Sequence, residues 1–318
     1  MDRQVAVYMG SGMASFGFRP PHYFGSARFA HFARVFLASP WADRVDHLDA
    51  PPASDGELTL FHTAEYVEHV RRACAAESGL LAHATPAERG LDGAAAGVVG
   101  AVVDGVRRLL AGQQRRLFVP IAGFHHARPT AAANYCLFND CAIGIRYGLA
   151  QGLERIAYVD IDVHHGDGVW SAFADDPRVA VADIHQEPDS FWYGAETPVA
   201  PAKGKYAVSL PPGSEESAFW AKWPEVVAYL DNFRPQLVVL QAGADSLDGD
   251  RLGSLRFSPE VHEVVTRTIC SIAERHGEGR VLVLGGGGYH LDNLAAAWTM
   301  VVRALVEAPV AVRSPGLL

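Results

Sequence analysis

Four places in this chain put ionisable or hydroxyl side chains directly behind a short apolar run. The richest is Tyr158-Val-Asp-Ile-Asp-Val-His-His-Gly-Asp-Gly168, where Asp160, Asp162 and His164 stand at i, i+2 and i+4. Side chains of a strand alternate between faces, so these three share one face if the strand runs through them. Two carboxylates and an imidazole ahead of a glycine-containing turn suit a hard-to-borderline divalent metal ion. Charges on a core strand are costly without such compensation, which makes a strand with incidental charges the weaker reading.

The other three places are Gly123-Phe-His-His126, Ala242-Gly-Ala-Asp245 and Gly285-Gly-Gly-Gly-Tyr-His290. Asp162, His164 and Asp245 form a three-ligand set that leaves positions for water and substrate. A metal so held polarises a carbonyl and brings the pKa of its water to roughly 7. Asp160 and Asp167 suit outer carboxylates that orient histidines and set their protonation. His125 and His126 supply general acid and base groups beside the metal, and equally suit a core or helix-terminal role. Tyr289, behind the glycine run, is a candidate hydrogen-bond donor to a developing oxyanion. The same glycines could cradle a phosphate, but no Lys-Ser/Thr follows them, so that reading is weak.

These side chains need a frame. Val5–Met9, Leu117–Ile121, Ile156–Asp162, Leu237–Gln241 and Val281–Leu284 read as strands. Helical patterns cover Arg28–Leu37, Ala64–Ala76, Leu91–Leu110, Cys141–Ala150, Ser217–Asn232, Pro259–His276 and Asn293–Val306. Thr63, Ser258 and Asp292 are the expected N-caps. The stretch 10–25 reads as an ordered loop. Strands alternating with helices imply an α/β fold, a parallel sheet covered on both faces, and ligands of such sheets bind at the carboxyl ends of the strands. Neither a repeat nor an interdomain linker is evident, and residues 1–318 read as one domain.

Composition narrows the partners. Of 318 residues 49% are hydrophobic and 20% charged, ordinary globular values, and the net charge of −9 argues against non-specific nucleic-acid binding. Cys74, Cys136, Cys141 and Cys270 include no CxxC pair and read as reduced thiols of a cytoplasmic protein. The first residues carry too short an apolar run for a signal peptide, and no stretch is long and apolar enough to span a membrane.

His125-His126, the string YVDIDVHHGDG, the segment GADSLDGDRLG and the ending GGGGYHLDNLAAAW together resemble the zinc-dependent histone deacetylase superfamily, including its bacterial acetoin-utilisation and acetylpolyamine amidohydrolase relatives. His22 and Arg28 are similar to the family's N-terminal His-Pro-x4-Arg element, with Tyr23 where proline is usual. The resemblance implies the arginase/deacetylase-like three-layer sandwich, with a mostly parallel central sheet of about eight strands. It makes Asp162, His164 and Asp245 the ligands of zinc, a set that also suits iron(II). It makes His126 the general base, with His125 as electrostatic partner, Asp160 paired to His125 and Asp167 to His126. Tyr289 becomes the donor to the carbonyl oxygen, and Arg28 lies beneath the metal near the acyl end. Tyr135 and Trp192 become aromatic walls of a substrate tunnel, bordered by Leu252 and Gly287. Leu252 stands where polyamine-specific relatives carry an acidic residue. No aspartate matches the rim carboxylate that grips a peptide backbone, although His83 and Asp92 lie near that point. Asp183 replaces a serine that helps hold a structural potassium ion.

The implied reaction is hydrolysis of the side-chain amide of acyl-lysine in a protein or peptide. The alternative within the same chemistry is an acetylpolyamine or other small acetylated amine. A binuclear manganese ureohydrolase would need further bridging carboxylates, and the chain offers a single Asp245 after Gly243. A catalytically dead acyl-lysine reader would have lost a ligand, the base or Tyr289, and all are present.

Overall fold

The computed structural model describes residues 4–187 and 204–310. Among them the strands are β1 (Val5–Tyr8), β2 (Asp46–Leu48), β3 (Leu80–Ala82), β4 (Thr85–Pro86), β5 (Arg116–Val119), β6 (Ile156–Asp160), β7 (Val179–Gln186), β8 (Tyr206–Leu210), β9 (Leu237–Gln241) and β10 (Val281–Leu284). The helices are α1 (Ser11–Ala14), α2 (Ala27–Leu37), α3 (Asp55–Leu58), α4 (Ala64–Ala76), α5 (Leu91–Leu110), α6 (Asp140–Ala150), α7 (Asp167–Phe173), α8 (Glu216–Phe233), α9 (Glu260–His276) and α10 (Leu291–Glu307). Strands β3 and β4 pair with each other. The rest form one eight-stranded sheet in the order β2-β1-β5-β10-β9-β6-β7-β8, parallel at every pairing.

The central strands β5, β6, β9 and β10 are buried along their whole length, as expected where helices cover both faces of a parallel sheet. Helices α2, α9 and α10 pack together on one side, and α5 and α6 pack together on the other. The small residues of α5 allow that close approach. A Cβ at Gly144 of α6 would lie 2.7 Å from Val102 of α5, and one at Gly100 would lie 2.0 Å from the Pro51 carbonyl oxygen.

Thr63 caps α4 as expected, accepting the N–H of Tyr66. The other two expected caps are corrected. His290, not Asp292, precedes α10 and accepts the N–H of Asn293. Asp292 is the second residue of the helix and pairs with His31 at 2.8 Å. The Ser258 hydroxyl donates to Glu216 across the chain instead of capping α9. The stretch 10–25 contains the short helix α1. Strands β2, β7 and β8 carry too little apolar periodicity to be read from sequence; β7 is interrupted by Asp183 and His185, and much of β8 is only half buried.

Candidate active site

The site forms along one edge of the sheet. Val119 of β5 lies opposite Leu284 of β10, which lies opposite Gln241 of β9, then Asp160 of β6, then Asp183 of β7. Because the strands are parallel, the segments after Val119, Leu284, Gln241 and Asp160 all emerge at this edge. They carry the histidine pair, Tyr289, Asp245, and Asp162 with His164. The strand expected over Ile156–Asp162 is corrected: it ends at Asp160, and the extended geometry does not persist to His164. The Asp162 amide donates to Asp160 Oδ1 at 3.1 Å, and the His164 amide donates to Asp162 Oδ1 at 3.0 Å. These short side-chain-to-backbone bonds turn the chain. Asp160 therefore faces the histidine pair, while Asp162 and His164 face each other.

His164 Nδ1 lies 2.8 Å from Asp162 Oδ1 and 3.2 Å from Asp245 Oδ2, and all three residues are buried. Gln241 Nε2 and the Gly287 amide donate to Asp162 Oδ2 at 2.8 and 2.9 Å, leaving Oδ1 turned toward His164. The Val163 amide donates to Asp245 Oδ1 at 3.1 Å, whereas buried Asp245 Oδ2 has no aligned hydrogen-bond donor. Burial, and then the neighbouring Asp162, push the Asp245 carboxyl up to about 7. Burial also opposes a charge on His164, but the two carboxylates of Asp162 and Asp245 beside its Nδ1 outweigh that and raise its pKa. A divalent cation would take the place of that proton between the two carboxylates and relieve both strains. The surroundings leave space for nothing larger: a Cβ at Gly287 would lie 1.9 Å from Asp245 Oδ2, and one at Gly243 would lie 2.1 Å from Asp162 Oδ2. These residues fit a metal ion.

The two adjacent histidines are held apart chemically by their partners. His125 Nδ1 bonds Asp160 Oδ2 at 2.8 Å, and Tyr158 donates to the same oxygen at 2.6 Å. His126 Nδ1 bonds Asp167 Oδ1 at 2.8 Å, and Arg128 braces the other oxygen at 2.5 Å. The two Nε2 atoms lie 3.1 Å apart. Burial opposes charge on His125, but Asp160 and Asp162 outweigh it and raise its pKa to about 10. Burial, and then the charge on His125, push His126 down to about 4 against the pull of Asp167. At neutral pH the pair holds one imidazolium, His125, and one neutral imidazole, His126.

Tyr289 is buried at the cavity wall. Burial, and then Asp245, raise its pKa, so the hydroxyl stays protonated. Arg28 lies behind it, donating to the Gly288 and Gly286 carbonyls at 2.8 and 2.6 Å with its guanidinium 4.0 Å from the centre of the Phe24 ring. The cavity above Asp162 and His164 is lined by Phe24, Phe124, Tyr135, Leu252, Gly287 and Tyr289, among others, and His83 also lines it. Asp92 lies in the first turn of α5 and does not line it. Trp192 lies outside the described residues. Tyr135 holds φ at 70°, a backbone state uncommon for a residue with a side chain, and its ring packs edge-on to His22 at 4.7 Å. Asp183 accepts His165 Nδ1 and the Gly166 amide on one oxygen, and His185 Nδ1 on the other, at 2.7, 2.9 and 2.7 Å.

Several contributors escaped the sequence reading. Gln241 ties Asp162 to the Gly123 carbonyl and the Gly243 amide. Asp140 accepts the amides of Gly123 and Phe124, and Asn139 donates to the carbonyls of His125 and Ala127. The Asn139–Asp140 pair at the start of α6 is an ordinary cap signal. Nothing in its local sequence connects it to a histidine pair thirteen residues earlier.

Residues 22–305 match the family model described as the histone deacetylase domain. The chain is 31% identical over 269 residues to histone deacetylase 8 of Xenopus tropicalis, covering 80% of this chain and 71% of that protein. It is 30% identical over 269 residues to the acetoin utilization protein AcuC of Bacillus subtilis (strain 168), covering 79% of this chain and 67% of that protein. Among solved structures, the HDA15 HD domain superposes with a TM-score of 0.84 at 24% identity, over 95% of this chain and 91% of the other, a likeness of fold. With the sheet, the ligand cluster and the histidine pair in the same segments that the family model spans, this chain belongs to the histone deacetylase family.

Proposed function

We propose that the protein hydrolyses the side-chain amide of acyl-lysine, most simply acetyl-lysine, in a protein or peptide. The observation that carries this reading is the convergence of the Asp162–His164–Asp245 cluster, neutral His126 and protonated Tyr289 on one narrow cavity. Zinc, or iron(II), suits the two carboxylates and one imidazole, and such an ion supplies Lewis-acid polarisation of the carbonyl and acidifies a water. His126, held through Nδ1 by Asp167, takes a proton from the attacking water on Nε2 and passes it to the departing lysine amine. His125, charged against Asp160, keeps His126 neutral beforehand and supplies positive charge beside the developing tetrahedral oxyanion. Tyr289 donates its hydroxyl to the carbonyl oxygen, a bond that strengthens as negative charge builds there. Arg28 fixes the glycine carbonyls beneath the acyl end. The products are a carboxylate and a free amine, which balances the water consumed. A potassium ion near Asp183 would share that carboxylate with two imidazoles, and we assign it no part in these steps. The buried, unpaired cysteines fit a reducing compartment, and we place the protein in the cytoplasm.

The likeness to AcuC carries the second reading, a small acetylated amine. The cavity wall favours the first: among its described lining residues the carboxylate is Asp162, at the base. A lysine stem is neutral along its length, whereas the second ammonium of a polyamine would find no counter-charge among these described residues above Asp162. The test is steady-state hydrolysis of an acetyl-lysine peptide against an acetylpolyamine by zinc-loaded protein. Preference for the peptide, lost about 10²–10³-fold in kcat for Tyr289→Phe, is the expected result. Preference for the polyamine would overturn the substrate assignment.

A further inference from the structure

Asp250 lies outside the metal ligands and the histidine pair, yet its carboxylate joins two walls of the cavity. One oxygen, Oδ2, accepts the amides of Tyr289 and His290 at 2.6 and 3.0 Å. The other, Oδ1, accepts the amide of Leu252 at 2.9 Å. The segment it grips has little stiffness of its own. Gly286 and Gly288 hold φ at 72° and 122°, where glycine is the residue least restrained. That segment is pinned from its carbonyl side by Arg28, on Gly286 and Gly288, and by the Ala244 amide, on Gly287. From the amide side it is pinned by Asp162 at Gly287 and by Asp250 at Tyr289 and His290. The two amides that Asp250 holds immediately precede α10, where backbone donors lack helical partners. Hydrogen bonds to an ionised carboxylate are the stronger kind. Among the described residues Asp250 is the side chain that accepts from these two amides.

Resting on the hydrolysis proposed above, we propose that Asp250 is a positioning residue with two separable duties. Through Oδ2 it sets the Tyr289 hydroxyl against the reacting carbonyl, and through Oδ1 it fixes the Leu252 wall against the substrate stem. The first duty belongs to kcat and the second to KM.

A double-mutant cycle with Tyr289→Phe separates this from a purely structural cap. Asp250→Ala is expected to lower kcat about 10²-fold, as a displaced catalytic group does, and to raise KM. In the Tyr289→Phe background the same substitution should lower kcat by less than about 3-fold, because its route of action is already gone. Asp250→Asn keeps one carbonyl oxygen, which goes to the side with two donors. It should hold kcat within about 3-fold of wild type while KM still rises. Equal kcat losses for Asp250→Ala in both backgrounds would overturn the proposal, as would an unchanged kcat. If Asp250→Ala does not fold, Asp250→Asn decides: a raised KM with kcat kept supports the two duties, and both unchanged refutes them. Amide exchange at Tyr289 and His290 reads the same tie without turnover. Wild-type protein silent on every acyl-lysine substrate would count against the proposed function. The positioning would then stand or fall on whether Asp250→Asn and Asp250→Ala accelerate that exchange.

Discussion

His125 and His126 are neighbours of one residue type that end in opposite protonation states. Asp160 and Asp162 hold the first as an imidazolium up to about 10, and burial with that neighbouring charge brings the second down to about 4. Two titratable groups pushed apart by their surroundings are what a base beside an electrostatic partner requires. His62 shows the same physics without the chemistry. It is buried, accepts the Asn139 amide at 2.9 Å, and burial lowers its pKa to about 4. Its folded pKa lies below the unfolded value of roughly 6.5, so the unfolded chain binds the proton first as pH falls. The stability that neutral His62 contributes is thus complete above about 6.5 and is lost between there and about 4, roughly 3 kcal/mol in all. His62→Gln keeps an acceptor for Asn139, and urea unfolding across that window should show a shallower pH slope; an unchanged slope would contradict the assignment. Asp162, His164 and Asp245 were legible in the sequence because buried ligating types behind strands have few other uses. Gln241 and Asp250 were not, because a polar residue near a strand end has many.

Strand ends do the positioning. Residues opposite one another across β5, β10, β9, β6 and β7, from Asp160 and Asp183 to Val119 and Leu284, bring segments far apart in sequence to one edge, and the glycines there let carboxylates approach backbone. Strands β9 and β10 were legible residue for residue because full burial makes them unbroken apolar runs. The turn at Asp160 was not, because Asp162 and His164 keep the alternation of a strand while their side chains bond the chain out of it. Gln241, the last residue of β9, holds Asp162 so that Oδ1 faces His164. Gln241→Leu removes that donor and should weaken metal retention about 10–100-fold, measured by competition with a chelator. Unaltered retention would show that the Gly287 amide alone orients Asp162. Gly287→Ala should be worse, since its Cβ would fall within bonding distance of Asp245.

The molecule as a whole closes both faces of the sheet with helices and leaves the carboxyl edge as the place where a cavity opens. Among the described residues no helix is long and apolar enough to cross a membrane. Among the described residues that line the cavity, the wall above Asp162 is largely aromatic, and Asp162 is the carboxylate. That wall suits an uncharged amide on an aliphatic stem better than a polycation. In the proposed reaction one metal ion, held by Asp162, His164 and Asp245, is the condition for all the other residues to act. The most direct measurement is to strip the protein of metal, add zinc in steps, and follow acetyl-lysine peptide hydrolysis with bound metal. Turnover should rise in proportion to zinc and level off at one equivalent per chain, and Asp245→Asn should lose both the tight equivalent and the turnover. Hydrolysis that persists in the stripped protein, or that survives Asp245→Asn with zinc unbound, would contradict it.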